Sequence, residues 1–140
     1  MTRRGRFLLK GALVWLMMPI AAIANGALRD LLIAPLLGAA AAEILGVLIL
    51  LIFIYGIAAV FLGRVGLRRR PADLWALGFL WMVLTIAFEL IFFGVFLGVP
   101  SRELLAAYNI FAGELWTVVV VGVLLAPRLV HAGLRLIRRD

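Results

Sequence analysis

The sequence predicts an all-α, polytopic membrane protein: a four-transmembrane-helix bundle with a short interfacial or re-entrant segment between helices 1 and 2. Of its 140 residues, 66% are hydrophobic and only 15% are charged, which lies outside the range of soluble globular chains. Four segments reach the length of about 20 mainly apolar residues that a membrane-spanning helix needs. The basic residues form short clusters between these segments and no continuous stripe, so we expect no nucleic-acid partner.

We expect a single membrane domain over the whole chain. Its predicted spans are residues 11–28, 44–63, 74–98 and 104–127. The first two spans are uncharged, whereas the third contains only Glu89 and the fourth only Glu114. Pro19 predicts a bend in the first span around the preceding turn, because a proline inside a helix removes one backbone hydrogen bond.

Two further segments do not span. Residues 31–42 are uncharged but too short to cross, and Pro35 and Gly38 break them, which favours an interfacial or re-entrant segment. Residues 128–140 alternate basic and apolar side chains at helical spacing and predict a basic amphipathic tail on the anionic inner leaflet. We expect His131 at a solvated or lipid-facing surface of this tail.

The basic residues also predict the orientation. Of the 14 Lys and Arg residues, all but Arg29 and Arg102 lie on one side of the predicted spans. Because cytoplasmic loops collect Lys and Arg, we expect a bacterial inner (plasma) membrane protein with both termini in the cytoplasm. The basic start, the apolar run and the small residues at 22–24 also fit a cleavable secretory signal. We interpret them as a retained anchor, because an uncleaved first helix fits the charge pattern.

The partners that the sequence predicts are the lipid bilayer and anionic lipids at the cytoplasmic face. The residues expected to contact lipid headgroups are Arg68, Arg69, Arg70, Arg135, Arg138 and Arg139. A homo-oligomer and a larger membrane complex both stay open as assemblies.

The two glutamates inside predicted spans are the leading functional candidates. An acidic side chain at the centre of a membrane helix costs roughly 2.5 to 3.5 kcal/mol, so it is rarely kept without a use. From the predicted helix ends, Glu89 lies about 13 Å and Glu114 about 15 Å below the outer surface. Helices joined by a short turn are expected to be antiparallel neighbours, so the two carboxyl groups are predicted to face one another.

Other polar side chains are predicted in the same outer half. Trp81, Thr85 and Glu89 follow at steps of four on one helix face, and Trp116 adds an indole at a similar depth. The candidate ligand- or ion-binding residues are Glu89, Glu114, Arg29, Asn25, Thr85, Tyr108 and Asn109. They predict an outward-facing vestibule with the glutamates at its floor. The alternative is that Thr85 or Arg29 holds Glu89 as a contact that only orients the bundle.

Enzyme signatures are missing from the sequence. There is no cysteine, only one histidine, no Gly-rich phosphate loop, no zinc motif and no nucleophile elbow. We therefore expect no enzymatic activity, no cofactor and no metal site.

Several short stretches resemble a group of small bacterial four-helix inner-membrane proteins for which no activity is established. The stretches are Asn25–Arg29, Ala34–Gly38, Ala87–Glu89, Leu104–Asn109 and Gly113–Trp116. The resemblance implies a four-helix membrane fold and brings no function with it. That group often has a basic residue where this chain has Glu114, so the chain departs from the group at that position.

The sequence supports two hypotheses for function. In the first, the protein is a transporter or channel-like protein for a proton, a cation or a small polar solute, which uses the buried carboxylates. In the second, it is a non-catalytic accessory or assembly subunit, or a lipid-binding scaffold, of a larger membrane complex. Two carboxyl groups at one depth favour transport, because they exceed what bundle stability needs.

Overall fold

The structure is a computed structural model that describes residues 1–65, 67–106 and 115–138. These residues are almost entirely helical and contain no strand. The elements are α1 (Arg3–Trp15), α2 (Met17–Leu28), the π-helix π1 (Arg29–Ile33), α3 (Ala34–Leu37), α4 (Ala39–Val65), α5 (Pro71–Glu89), the π-helix π2 (Leu90–Phe96), α6 (Ser101–Ala106) and α7 (Trp116–Ile137).

Four helical runs are long and apolar enough to cross a membrane. They are Arg3–Leu37, Ala39–Val65, Pro71–Phe96 and Trp116–Ile137. The all-helical class and the presence of four such helices are therefore confirmed.

The start of α1, the α4–α5 connection and the C-terminal part of α7 lie at one end of the bundle. We call it the basic end, because it carries Arg68, Arg69, Arg70, Arg135 and Arg138. There Phe7 of α1 stacks on Phe61 of α4, with 5.7 Å between ring centroids. Arg4 forms an ion pair with Asp73 of α5 at 3.3 Å, and His131 of α7 lies close to the α4–α5 connection. Neighbouring helices along this arrangement therefore run in opposite directions.

The apolar core lies between α1, α4, α5 and α7. On α4 the buried side chains recur at helical spacing, as expected for one inward face of a helix. The fully buried large side chains of the core are Phe7, Leu62, Leu74, Leu77, Trp81, Val119 and Val123. The indole N–H of Trp81 donates to the carbonyl oxygen of Gly11 at 2.8 Å and so joins α5 to α1 inside this core.

A glycine sets the distance between α5 and α7. A Cβ added at Gly78 would collide with the backbone carbonyl oxygen of Leu124, so only glycine fits at this crossing. Small residues allow such close approach between apolar helices, where packing replaces the hydrophobic driving force. With Gly78 opposite Leu124, the end of α5 lies opposite the start of α7, as Glu89 opposite Trp116 shows.

The first helical run differs from the prediction for residues 31–42. Those residues do not form a separate segment: residues 31–37 extend the first run, and Ala39 begins α4 after Gly38. Gly38 makes the reversal with φ of 90°, a value that favours glycine. Pro35 does not break the helix, because it lies in the first turn of α3, where its missing N–H costs little. Around the turn before Pro19, where the sequence predicted a bend, the α-helix is interrupted at Leu16 while the backbone keeps helical angles.

The fourth helix is shifted toward the C-terminus. The prediction placed a span at 104–127 and a separate tail from 128, but α7 begins at Trp116 and continues through Pro127 to Ile137. His131 is only 3% exposed, and its Nε2 donates to the carbonyl oxygen of Leu67 at 2.7 Å. The predicted surface position of His131 is therefore wrong. Amphipathic spacing did not reveal that the face carrying this histidine packs on the α4–α5 connection.

We predict that Gly78→Ala destabilises the bundle by about 1 to 3 kcal/mol, the usual cost of overpacking a tight core. The free energy of unfolding in mixed micelles, followed by far-UV circular dichroism, measures this change. Gly56→Ala is the matched control, because nothing lies within 4 Å of a Cβ at that position of α4. The control should be neutral, or stabilising by up to about 1 kcal/mol. Equal stability of the two variants would contradict the proposed close approach.

Candidate functional site

A cavity of about 510 Å³ lies at the end of the bundle opposite the basic end. Along the first helical run, α1 packs on both α5 and α4, whereas α2 packs mainly on α4. The cavity lies in the space between α2, α4, α5 and α7. Its volume is in the range of small-molecule binding sites in proteins.

The walls of the cavity are largely apolar and rich in aromatic rings. The apolar and aromatic residues that line it include Trp15, Met18, Leu50, Ile54, Phe88, Phe92, Phe93, Trp116, Val119 and Val123. Phe88 stacks on Phe92 with 5.2 Å between ring centroids, and Trp15 meets Phe88 edge to face at 6.3 Å. Such a wall suits a ligand with an apolar body, whereas the few polar groups fix its orientation.

Glu89, the last residue of α5, is the most deeply buried carboxyl group on this wall. It is 6% exposed, and the indole N–H of Trp116 donates to its Oε2 at 2.6 Å. Side-chain hydrogen bonds of this kind join neighbouring helices in membrane bundles. Glu89 thus joins the C-terminal end of α5 to the first residue of α7, beside the cavity.

Thr85 lines the same cavity but does not hold Glu89. Its hydroxyl group donates to the carbonyl oxygen of Trp81 at 2.7 Å and accepts from the indole N–H of Trp15 at 3.0 Å. The predicted common face of Trp81, Thr85 and Glu89 is confirmed, since all three point into the bundle. The prediction that Thr85 partners Glu89 is wrong, because the threonine proton goes to the preceding turn of its own helix.

Arg29 also lines the cavity, and its ion pair is local. Its Nε lies 3.0 Å from Oδ1 of Asp30, the next residue in the chain. Among the described residues, Arg29 forms its ion pair with Asp30 and not with Glu89. The alternative in which Arg29 holds Glu89 is therefore wrong. The charge of Arg29 is largely offset beside the cavity by its neighbour.

Asn25 supplies an unpaired acceptor. Its side chain is 8% exposed, and its Nδ2 donates to the carbonyl oxygen of Gly46 at 2.9 Å, which joins α2 to α4. In the described part of the chain, its Oδ1 is buried with no hydrogen-bond partner. Leaving a buried polar atom unpaired costs about 1 to 3 kcal/mol, so this oxygen is an unusual feature of a residue that lines the cavity.

The charges around the cavity are mainly negative although the whole chain carries a formal charge of +7. Its described lining residues include one basic side chain, that of Arg29, and four carboxyl groups, those of Asp30, Glu43, Glu89 and Glu103. A cleft with charges of one sign and low-dielectric walls concentrates ions of the opposite sign. The acidic side chains along its lining would therefore concentrate cations rather than anions.

Two π-helices border the cavity. π1 begins at Arg29, and π2 begins directly after Glu89. π-helical turns are rare and occur frequently at functional sites, because they displace side chains from the regular helical positions. Arg29 and Glu89, two of the three charged residues singled out from the sequence, thus lie at such a turn.

The structure does not describe all of the predicted residues. Glu114, Tyr108 and Asn109 lie outside the described residues, so the predicted contact between Glu89 and Glu114 stays a prediction. The residues predicted to contact lipid headgroups are brought together at the basic end. A second pocket there is lined by Leu67, Arg68, Arg69, Arg70, Arg135 and Arg138, while Arg139 lies outside the described residues.

Sequence reasoning missed part of the cavity. Trp15 was not predicted as a site residue, yet it is 7% exposed and its indole N–H donates to Thr85. Glu103 was not predicted as a site residue either, because it lies in a connection whose fold depends on π2 and α6. For Trp15 the available signal was Pro19, because a proline inside a helix alters the regular geometry of the preceding turn.

No protein-family model, curated protein or solved structure matches this chain. The resemblance to small four-helix inner-membrane proteins therefore stays an expectation. Among the described residues, no group of three or more His, Cys, Asp or Glu side chains is arranged to hold a metal ion.

We predict that Trp116→Phe lowers the free energy of unfolding by about 1 to 2 kcal/mol, because the ring is kept while the donor to Glu89 is lost. Trp75→Phe is the matched control, since Trp75 is 38% exposed on the outer face of α5. The control should change stability by less than about 0.5 kcal/mol. Unfolding in mixed micelles measures both, and equal effects would show that the indole N–H does not stabilise Glu89.

Proposed function

We propose that the protein is an integral protein of the bacterial inner membrane that binds a cation in the acidic cavity and moves it across the membrane. The single observation that carries this proposal is the convergence of acceptor groups and acidic charge in a cavity of about 510 Å³ within an otherwise basic chain. Binding is the first step and transport the second, and each step has its own measurement.

The charge distribution along the bundle supports the proposed orientation. The N-terminus of α1, the α4–α5 connection and the C-terminal part of α7 meet at the basic end. By the positive-inside rule this end, with both termini, would face the cytoplasm. The cavity would then open toward the outside, where the exposed side chains of Asp30 and Glu103 line its mouth.

The polar groups of the cavity support a cation as the ligand. Glu89 offers a carboxyl group, and Asn25, whose buried Oδ1 has no hydrogen-bond partner among the described residues, lines the same cavity. The faces of aromatic rings such as Trp15 and Phe92 attract cations as well. Since most of the lining is apolar, an organic ammonium ion with an apolar body fits better than a hydrated inorganic ion.

The opposite half of the bundle supports a gated path. Below the cavity, Trp81 is fully buried and lies 6.4 Å from the ring of Phe61, which stacks on Phe7. This aromatic layer closes the bundle toward the basic end. A cation bound at Glu89 would cross only if the layer opened, as alternating access requires.

The alternative of an accessory subunit or scaffold requires polar groups that are mutually satisfied and closed to water. The unpaired oxygen of Asn25 and the open mouth favour ligand binding over that alternative.

We predict that full-length protein in detergent binds benzylammonium, and that Glu89→Gln weakens this binding at least about tenfold by removing the charge that pairs with the ammonium group. Isothermal titration calorimetry measures the dissociation constants. Uptake of radiolabelled benzyltrimethylammonium into proteoliposomes measures transport, which the same variant should abolish.

Two controls make this test selective. Asp73→Asn removes a carboxyl group at the basic end and should leave binding unchanged. Benzyl alcohol has the same ring without the charge and should bind at least about tenfold more weakly. Equal binding of the alcohol, or an unchanged Glu89→Gln variant, would reject the cation site. Binding without uptake would reject transport and leave a receptor for cations.

A further inference from the structure

The pocket at the basic end gathers five arginine side chains from two distant parts of the chain. Arg68, Arg69 and Arg70 come from the α4–α5 connection, and Arg135 and Arg138 from the end of α7. Together with Leu67 they enclose about 440 Å³. The pocket is separate from the acidic cavity, so its ligand chemistry does not depend on the proposed transport.

Contacts within the fold position this pocket. The guanidinium group of Arg69 lies 4.3 Å above the ring centroid of Phe7, and its Nη2 donates to the carbonyl oxygen of Val65 at 3.5 Å. The buried His131 binds the carbonyl oxygen of Leu67 and so fastens the α4–α5 connection to α7. The arginines are therefore carried by backbone segments that are tied to one another.

Among the described residues that line this pocket, no carboxylate accompanies the five positive charges. In the part of the chain that the structure describes, the ion pairs are Arg4–Asp73 and Arg29–Asp30. Among the described residues at this end, the acidic side chain is that of Asp73, and it forms an ion pair with Arg4. Like charges held in one small volume repel, so a bound anion would stabilise this arrangement.

The shape and surroundings favour a phosphate group on a lipid. Several guanidinium groups around one concavity match the oxygens of a phosphate, which arginine binds in bidentate fashion. Leu136 and Ile137 lie beside Arg135 and Arg138 with 65% and 74% of their surfaces exposed. These apolar side chains provide a surface for acyl chains next to the charged pocket, which a soluble phosphate would not use.

From this geometry we infer that the pocket formed by Arg68, Arg69, Arg70, Arg135 and Arg138 binds the phosphate headgroup of an anionic phospholipid. Basic pockets on the cytoplasmic side of membrane helices are sites where such headgroups bind. The lipid would hold the α4–α5 connection and the end of α7 together at the membrane surface.

Native mass spectrometry of the full-length protein, titrated with phosphatidylglycerol, cardiolipin or phosphatidylcholine in detergent, tests this inference. We expect both anionic lipids to remain bound and phosphatidylcholine to be lost. Arg135→Gln and Arg138→Gln should each weaken phosphatidylglycerol binding about fivefold, the usual effect of one basic residue near an anionic lipid. Both side chains are exposed, so neither variant should disturb the fold.

Arg64→Gln is the matched control, because Arg64 is an exposed arginine in the last turn of α4 that does not line the pocket. An equal loss of lipid in this control would overturn the inference, since it would show only general attraction to positive charge. If inorganic phosphate displaces phosphatidylglycerol at equal concentration, the lipid assignment is overturned and the ligand is a soluble phosphate. Equal retention of phosphatidylcholine would also overturn it.

Discussion

The close approach of α5 and α7 is the constraint on which both ends of this molecule depend. Gly78 lets the backbone of α7 come into contact at Leu124, and this crossing determines which residues lie opposite each other along the two helices. On one side of the crossing Trp116 meets Glu89; on the other His131 meets the α4–α5 connection. A side chain at position 78 would force the helices apart and alter both contacts, because a packed interior transmits such displacements.

The two ends of the bundle differ in charge. At one end, α2 packs mainly on α4 beside a cavity whose carboxyl groups outnumber its one arginine among the described lining residues. At the other end, the α4–α5 connection and the end of α7 assemble arginines around a second pocket. The core between them is apolar and closed by aromatic rings. This separation of charge is consistent with a bundle that is oriented by its basic end and binds cations at its acidic end.

Much of the candidate site could be predicted from helical periodicity, and its partners could not. Trp81, Thr85 and Glu89 share a face because they are four residues apart, so their common inward direction was predictable. Which group meets Glu89 depends on how far α7 is displaced along α5. The sequence favoured Glu114 opposite Glu89, with Thr85 or Arg29 as the alternative partner. Thr85 bonds within its own helix and Arg29 pairs with Asp30, whereas Trp116 donates to Glu89. His131 was predicted at a surface for the same reason: its burial depends on a neighbouring element.

The sequence by itself determined the number of long apolar helices, the all-helical class and the clustering of basic residues, because these depend on composition and on local spacing. Only the tertiary structure decided that α7 continues through Pro127, that residues 31–37 extend the first helical run, and that Asn25 keeps an unpaired oxygen in the cavity that Glu89 also lines. The physical reason is that helix ends and relative helix positions depend on packing between segments far apart in the chain. No short window of residues contains that information.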